Sequence, residues 1–248
     1  MKRQELAPAK VNLTLDVGAR RPDGYHEVVS VMQSVALYDT VTMESGTGEG
    51  ISLTCDDAAI PADGSNLAWR AAEVFFRTTG VACDGLHITL EKSIPSQAGL
   101  GGGSSDAAAV LRALRTLYAP DISDGRLETL AARLASDVPF FIRGGTQLST
   151  GRGEVVSPLP PLTAGWFVVV KPDEGYSTAE MYRRLDEPGS VLVRNSRYMQ
   201  DAVAANNVHA VAVELHNSFE RVVPKDSSLR TIKDALRAQG ALGTLLSG

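Results

Sequence analysis

The chain has 248 residues, 44% hydrophobic and 21% charged, an ordinary globular composition with enough length to bury a sizeable core. A net charge of −5 and a pI of about 5.4 argue against a nucleic-acid partner, and Cys55 and Cys83, far apart and without a C-x-x-C pattern, suggest neither a disulfide framework nor a zinc site. No apolar run approaches the roughly 18 residues of a membrane span, and the N-terminus MKRQELAPAKVNLTL lacks the apolar core of a secretion signal, so a cytoplasmic protein without membrane contact is expected.

From Lys10 onward the chain alternates. Val11, Leu13, Leu15 and Val17 point one way and Asn12, Thr14 and Asp16 the other, the pattern of a half-buried strand. Pro22, Asp23 and Gly24 then supply turn chemistry, and Tyr25 and His26 follow in the same loop. Residues 28–43 and 51–55 read as extended. A helix is predicted after a cap at Ser65, with Leu67, Ala71, Val74 and Phe75 at helical spacing. Residues 86–91 alternate as a strand and lead into PSQAGLGGGSSDAAAVL at 95–111.

Helices are predicted at about 104–118, capped by Ser104 or Ser105, and at 123–135. Residues 146–150 and 154–159 read as a hairpin, and the prolines after Ser157 suggest a domain boundary. Beyond it, WFVVVK at 166–171 reads as a buried strand and 178–185 as a short helix. Residues 195–223 look largely helical, and 227–239 form an amphipathic helix ended by Gly240. Strands and helices mix without regular βαβ alternation, which predicts an α+β fold in two lobes.

A strand, a glycine-rich loop and a helix start, in that order, aim backbone N–H groups at an anion, and the helix dipole adds positive potential. The loop is not a Walker A sequence, because no lysine follows its glycines, and it fails the dinucleotide fingerprint, whose last glycine would fall on Ser104. A flexible connector would explain the glycines but not the serine pair or the helix directly behind them.

PSQAGLGGGSSDAA at 95–108 resembles the P-x-x-x-G-L-G-S-S-A-A phosphate loop of the GHMP small-molecule kinases. APAKVNLTLDVGARRPDGYHEV at 7–28 and DVPFFIRGGTQLSTGRGE at 137–154 are similar to motifs of the subgroup that phosphorylates 4-diphosphocytidyl-2-C-methyl-D-erythritol. The resemblance implies a two-lobed GHMP kinase fold, with a ribosomal protein S5 domain 2-like lobe at 1–157 that binds ATP and a ferredoxin-like lobe at 163–248. It further implies ATP-dependent phosphorylation of the acceptor's 2-hydroxyl, a step of non-mevalonate isoprenoid precursor synthesis, with ATP and Mg²⁺. No ligand set for the ion can be read from the sequence. The partner implied is a small cytidine diphosphate-linked molecule, and the protein would be a monomer or weak homodimer.

The resemblance assigns Lys10 and Asp137 as the catalytic pair. It gives ATP the loop residues Pro95, Ser96, Gln97, Ala98, Gly99, Leu100, Gly101, Gly102, Gly103, Ser104 and Ser105, with Asn66, Leu67 and Lys92 toward adenine or sugar. Asn12 would hold acceptor hydroxyls, His26 the edge of the base, and Tyr25 and Tyr182 would sandwich the cytosine, with Thr178 close by. Two departures stand out. LHNSFERV at 215–222 has Ser218 and Phe219 where the family usually reads Asp-Leu, and the third glycine-rich motif stops at LLSG, which predicts a C-terminal lobe without its last strand and helix. The alternatives are a GHMP kinase for homoserine, mevalonate or a sugar, or a non-catalytic ligand-binding member of the fold.

Overall fold

The computed structural model describes residues 1–186 and 196–248. In chain order the elements are β1 (Lys2–Asn12), β2 (Thr14–Arg20), β3 (His26–Ser45), β4 (Ile51–Cys55), α1 (Leu67–Thr79), β5 (Leu86–Glu91), α2 (Gly102–Tyr118), α3 (Asp124–Ala131) and α4 (Phe140–Arg143). Then come β6 (Thr146–Thr150), β7 (Val155–Pro158), α5 (Thr178–Leu185), α6 (Arg197–Ala204), α7 (Val208–Glu214), β8 (His216–Asn217) and α8 (Leu229–Ala238). The mixture is α+β, as predicted. Two compact units are present, each assembled from separate stretches of chain.

The first unit comprises Met1–Ala9, Val35–Ser96 and Leu100–Gly144. In it β5 lies between the second half of β3, antiparallel with Thr40 opposite Glu91 and Ser45 opposite Leu86, and β4, parallel with Ile51 opposite Leu86. Helix α2 is the centre of the unit. Ser105 through Leu111, Ala113 and Leu114 are all buried, so the helix is covered nearly all round rather than along one stripe. Each fully buried leucine there contributes about 1.5–3 kcal/mol, and the small alanines let α1 and α4 approach closely.

Helix α1 begins one residue later than predicted. Its cap is Asn66, whose Oδ1 accepts from Ala68 N at 2.9 Å, while the Ser65 hydroxyl donates to Asp63. Gly80 ends it in the left-handed region, its N–H bonded to Phe76 O. Helix α3 is capped by Ser123 as its start suggested, but gives way to turns after Ala131.

The second unit comprises Lys10–Ser34, Gln97–Gly99 and Gly145–Gly248. The first half of β3 is flanked by β2, with Asp16 opposite Val29, and by β6, with Val31 opposite Leu148; β6 and β7 form the predicted hairpin. Strand β8 adds to β2 in parallel. Leu15, Val17, Val28, Met181, Leu185 and Phe219 form one apolar cluster.

Three readings of this part of the sequence are corrected. The alternating stretch at 10–17 is interrupted at Leu13 and buried on both sides, because its polar residues find internal partners. Asn12 Nδ2 donates to Ser30 Oγ, Thr14 Oγ1 accepts from Val31 N, and Asp16 accepts from Ser196 Oγ at 2.7 Å and faces His216 Nε2 at 2.8 Å. The stretch WFVVVK is neither strand nor buried. Trp166 is 99% exposed, and residues 166–170 pair with no strand among the described residues. A run of β-branched residues favours a strand only where a neighbour supplies ladder bonds and a face to pack on. Finally, the predicted helical stretch at 195–223 is two short helices, α6 and α7, followed by β8 and a 3₁₀ turn at Ser218–Arg221; Asn195 lies outside the described residues. Helix α8 forms as expected but buries none of its residues.

Candidate active site

The glycine loop runs from the end of β5 into α2. Its last turn is made by Gly101, which caps α2 at φ +75° and offers no side chain to the first-turn N–H groups. Neither serine caps the helix. Both lie inside its first turn, because glycine reaches the left-handed capping geometry without strain. Ser104 is half-buried, whereas the Ser105 hydroxyl is fully buried without a hydrogen-bond partner. Pro95, Ser96, Gln97, Gly99 and Gly103 are exposed, Ala98, Gly101 and Gly102 half-buried, and Leu100 anchors the loop in apolar surroundings. Gln97 carries φ +54°, an uncommon value for a residue with a Cβ.

Leu67 stands next to this loop: a Cβ added to Gly103 would lie 4.0 Å from its Cδ1. Asn66 is occupied by capping and by a 2.7 Å bond from its Nδ2 to Pro61 O. Lys92 is placed inward. Its side chain is 7% exposed and its ammonium pairs with Asp39 and Asp106, both buried. The Lys92 pKa is raised. Burial lowers it, and the two carboxylates, Asp106 foremost, more than offset that. Asp106 is pushed up to about 7, chiefly by burial, against the opposing pull of Lys92. Neither carboxylate was singled out from the sequence.

Asp137 sits half-buried in the turn between α3 and α4, where Val138 and the N-cap Pro139 lead into the next short helix. In the second unit Lys10 is buried, and its Nζ donates to Asn12 Oδ1 at 2.7 Å. Asn12 donates in turn to Ser30 Oγ, and the Ser30 hydroxyl to Thr14 O, so the ammonium heads a chain of fixed dipoles.

The turn after β2 holds Tyr25 and His26 in different surroundings. Asp23 Oδ1 accepts from Tyr25 N, and Arg21 N donates to Tyr25 O, closing the turn. The Tyr25 ring is 52% exposed, with the Arg152 guanidinium 5.1 Å from its centroid. His26 is buried and stacks on Tyr182 of α5, centroids 4.9 Å apart and planes inclined by 18°. Its Nε2 lies 2.8 Å from Asp186 Oδ1. Tyr182 meets Phe219 edge-on at 5.0 Å, so the departure at that position supports an aromatic ring. Ser218 is likewise absorbed, its hydroxyl accepting from Val17 N. Thr178 opens α5 and is exposed. The ring against Tyr182 is thus that of His26, while Tyr25 faces solvent. Asp186 and Arg152 carry no local signature that would have drawn attention to them.

Comparison with known proteins agrees with this arrangement of motifs. Residues 66–145 match the GHMP kinases N terminal domain. The 4-diphosphocytidyl-2-C-methyl-D-erythritol kinase of Heliobacterium modesticaldum is 54% identical over 184 residues, 74% of this chain and 58% of that protein's length. The enzyme of the same name from Desulfitobacterium hafniense is 41% identical over 98% of this chain and 82% of its own. A crystal structure of 4-(cytidine 5'-diphospho)-2C-methyl-D-erythritol kinase superposes with a TM-score of 0.77 at 34% identity, covering 99% of this chain and 87% of that one. The chain therefore belongs to the 4-diphosphocytidyl-2-C-methyl-D-erythritol kinases, a subgroup of the GHMP kinases.

Proposed function

We propose that this chain transfers the γ-phosphoryl group of ATP to the 2-hydroxyl of 4-diphosphocytidyl-2-C-methyl-D-erythritol, a cytoplasmic step of non-mevalonate isoprenoid precursor synthesis. The observation that carries the reading is the uncapped start of α2 behind the glycine loop. Its first-turn N–H groups, which no cap side chain occupies, and the helix dipole suit a triphosphate. Phosphoryl transfer requires mainly positioning and charge stabilisation. The acceptor oxygen bonds to the γ-phosphorus, the bond to the ADP oxygen breaks, and the hydroxyl proton passes to Asp137. Lys10 supplies positive charge to the reaction, and Asn12 orients the acceptor.

Among the described residues no group of three His, Cys, Asp or Glu side chains could hold a metal ion. A Mg²⁺ accompanying the nucleotide would stabilise the charge on the transferring phosphoryl group. For the acceptor, Tyr25 offers an exposed face for a cytosine, and His26, held by Tyr182 and Asp186, offers a fixed edge.

The test is ADP release from ATP and Mg²⁺ with a panel of acceptors. Turnover is expected with the cytidine diphosphate-linked acceptor and not with homoserine or mevalonate. Turnover with either of those alone would overturn the substrate assignment.

A further inference from the structure

Asp39 lies on β3, fully buried, and does two things at once. Its Oδ1 accepts from Ser93 N at 2.6 Å and Ile94 N at 2.8 Å, which fixes the backbone immediately before the glycine loop. Its Oδ2 receives the Lys92 ammonium. The same ammonium donates to Asp106 Oδ2 at 2.5 Å, in α2, immediately after the loop. Lys92 N is itself held by Asp56 Oδ1 at 2.9 Å. The two ends of the loop are therefore tied through one cation.

The fit at the far end is close. A Cβ on Gly102 would lie 3.2 Å from Ile94 Cγ2 and 3.4 Å from Asp39 Oδ2, so the start of α2 approaches Asp39 as nearly as glycine allows. Two carboxylates share one ammonium, and Asp106 Oδ1 is buried without a hydrogen-bond partner. Such a cluster is poor value as a stabiliser, because packed apolar side chains of similar volume do as well or better. What apolar side chains do not supply is directional attachment of two backbone segments to one point.

We propose that Lys92, held between Asp39 and Asp106, is a positioning residue that clamps both ends of the glycine loop and sets the spacing at which its N–H groups meet the triphosphate. This deepens the functional reading above and rests on it. The clamp acts on the nucleotide and not on the acceptor, and it acts through geometry, with no contact between Lys92 and the ligand.

The experiment is isothermal titration of AMP-PNP with Mg²⁺ into the full chain, with thermal melts of each variant. Lys92→Met combined with Asp106→Leu removes the cation and one carboxylate together. It should still melt cooperatively but bind AMP-PNP at least tenfold more weakly, while the KM for the acceptor moves less than threefold. Asp106→Asn, which still accepts from Lys92, should stay within threefold of the unmodified chain for AMP-PNP. Wild-type affinity in a folded double variant would overturn the clamp alone. Equal loss in Asp106→Asn would mean that the carboxylate itself acts on the ligand, and would overturn it too. If the double variant does not fold, Lys92→Gln is measured in its place with the same expectation, and failure of both to fold would reduce the cluster to a folding element. No AMP-PNP binding by the unmodified chain would instead sink the functional reading, and the clamp with it.

Discussion

His26 lies flat against Tyr182, ring centroids 4.9 Å apart, with its Nε2 2.8 Å from Asp186 Oδ1. One side chain is thus fixed by a stacking face and a directional bond together, 160 residues separating His26 from the carboxylate. The buried imidazole is thereby held rigid, whereas the Tyr25 ring in the same turn is exposed.

This difference separates two substitutions. Tyr25→Ala removes a stacking face worth about 1–3 kcal/mol per base and should raise the acceptor KM by roughly 5- to 150-fold. Because the ring is exposed, the melting temperature should stay unchanged. Tyr182→Ala should raise the same KM and also lower the melting temperature, since Tyr182 packs on the cluster of Leu15, Met181 and Phe219. Steady-state kinetics and thermal melts check both; an unchanged acceptor KM in Tyr25→Ala would remove it from base recognition.

Asp137→Asn should cut kcat by about 10²- to 10⁴-fold, the usual contribution of a positioned proton acceptor. Binding of AMP-PNP, measured by titration, should be unaffected. Near-normal turnover would exclude Asp137 from handling the acceptor proton.

Gly101→Ala tests the turn that leads into α2. At φ +75° an L-residue costs about 1–2 kcal/mol, and chemical denaturation should show a loss of that size. The same variant should bind AMP-PNP more weakly, because the first-turn N–H groups move with the turn. A fully stable variant would show that the loop adjusts freely.

The sequence was legible where a local rule decides the structure. Strands at 51–55 and 86–91, the β6–β7 hairpin and helices α1, α2 and α5 follow from periodicity and turn residues, and the glycine loop from its order between strand and helix. What stayed hidden depends on partners distant in sequence. The polar face at 10–17 is buried because Ser30, Ser196 and His216 come to it, and nothing in the alternation announces them. WFVVVK has the composition of a buried strand and is exposed for want of a pairing neighbour among the described residues. The resemblance assigns Lys92 to the adenine or sugar, and nothing local announces Asp39 and Asp106, the two distant carboxylates that enclose its ammonium.

Asp106 also makes a pH-dependent contribution. In the folded chain burial pushes its carboxyl up to about 7, against 3.8 for an unperturbed group, so between these values the folded state binds more protons than the unfolded one. Its contribution to stability therefore falls as pH rises through that window and levels off above it. Asp106→Asn resembles the protonated form at every pH. Its melting temperature, relative to the unmodified chain, should climb between about pH 4 and pH 7 and level off above. A constant difference would contradict the shift.

The central claim is that the N–H groups between Gly99 and Ser105 hold the triphosphate of ATP. A crystal structure of the chain with AMP-PNP and Mg²⁺ tests it most directly. The phosphates should lie against Gly101, Gly102, Gly103 and Ser104, with the terminal group turned toward Asp137. Phosphates bound on another surface, with this loop bare, would contradict the account.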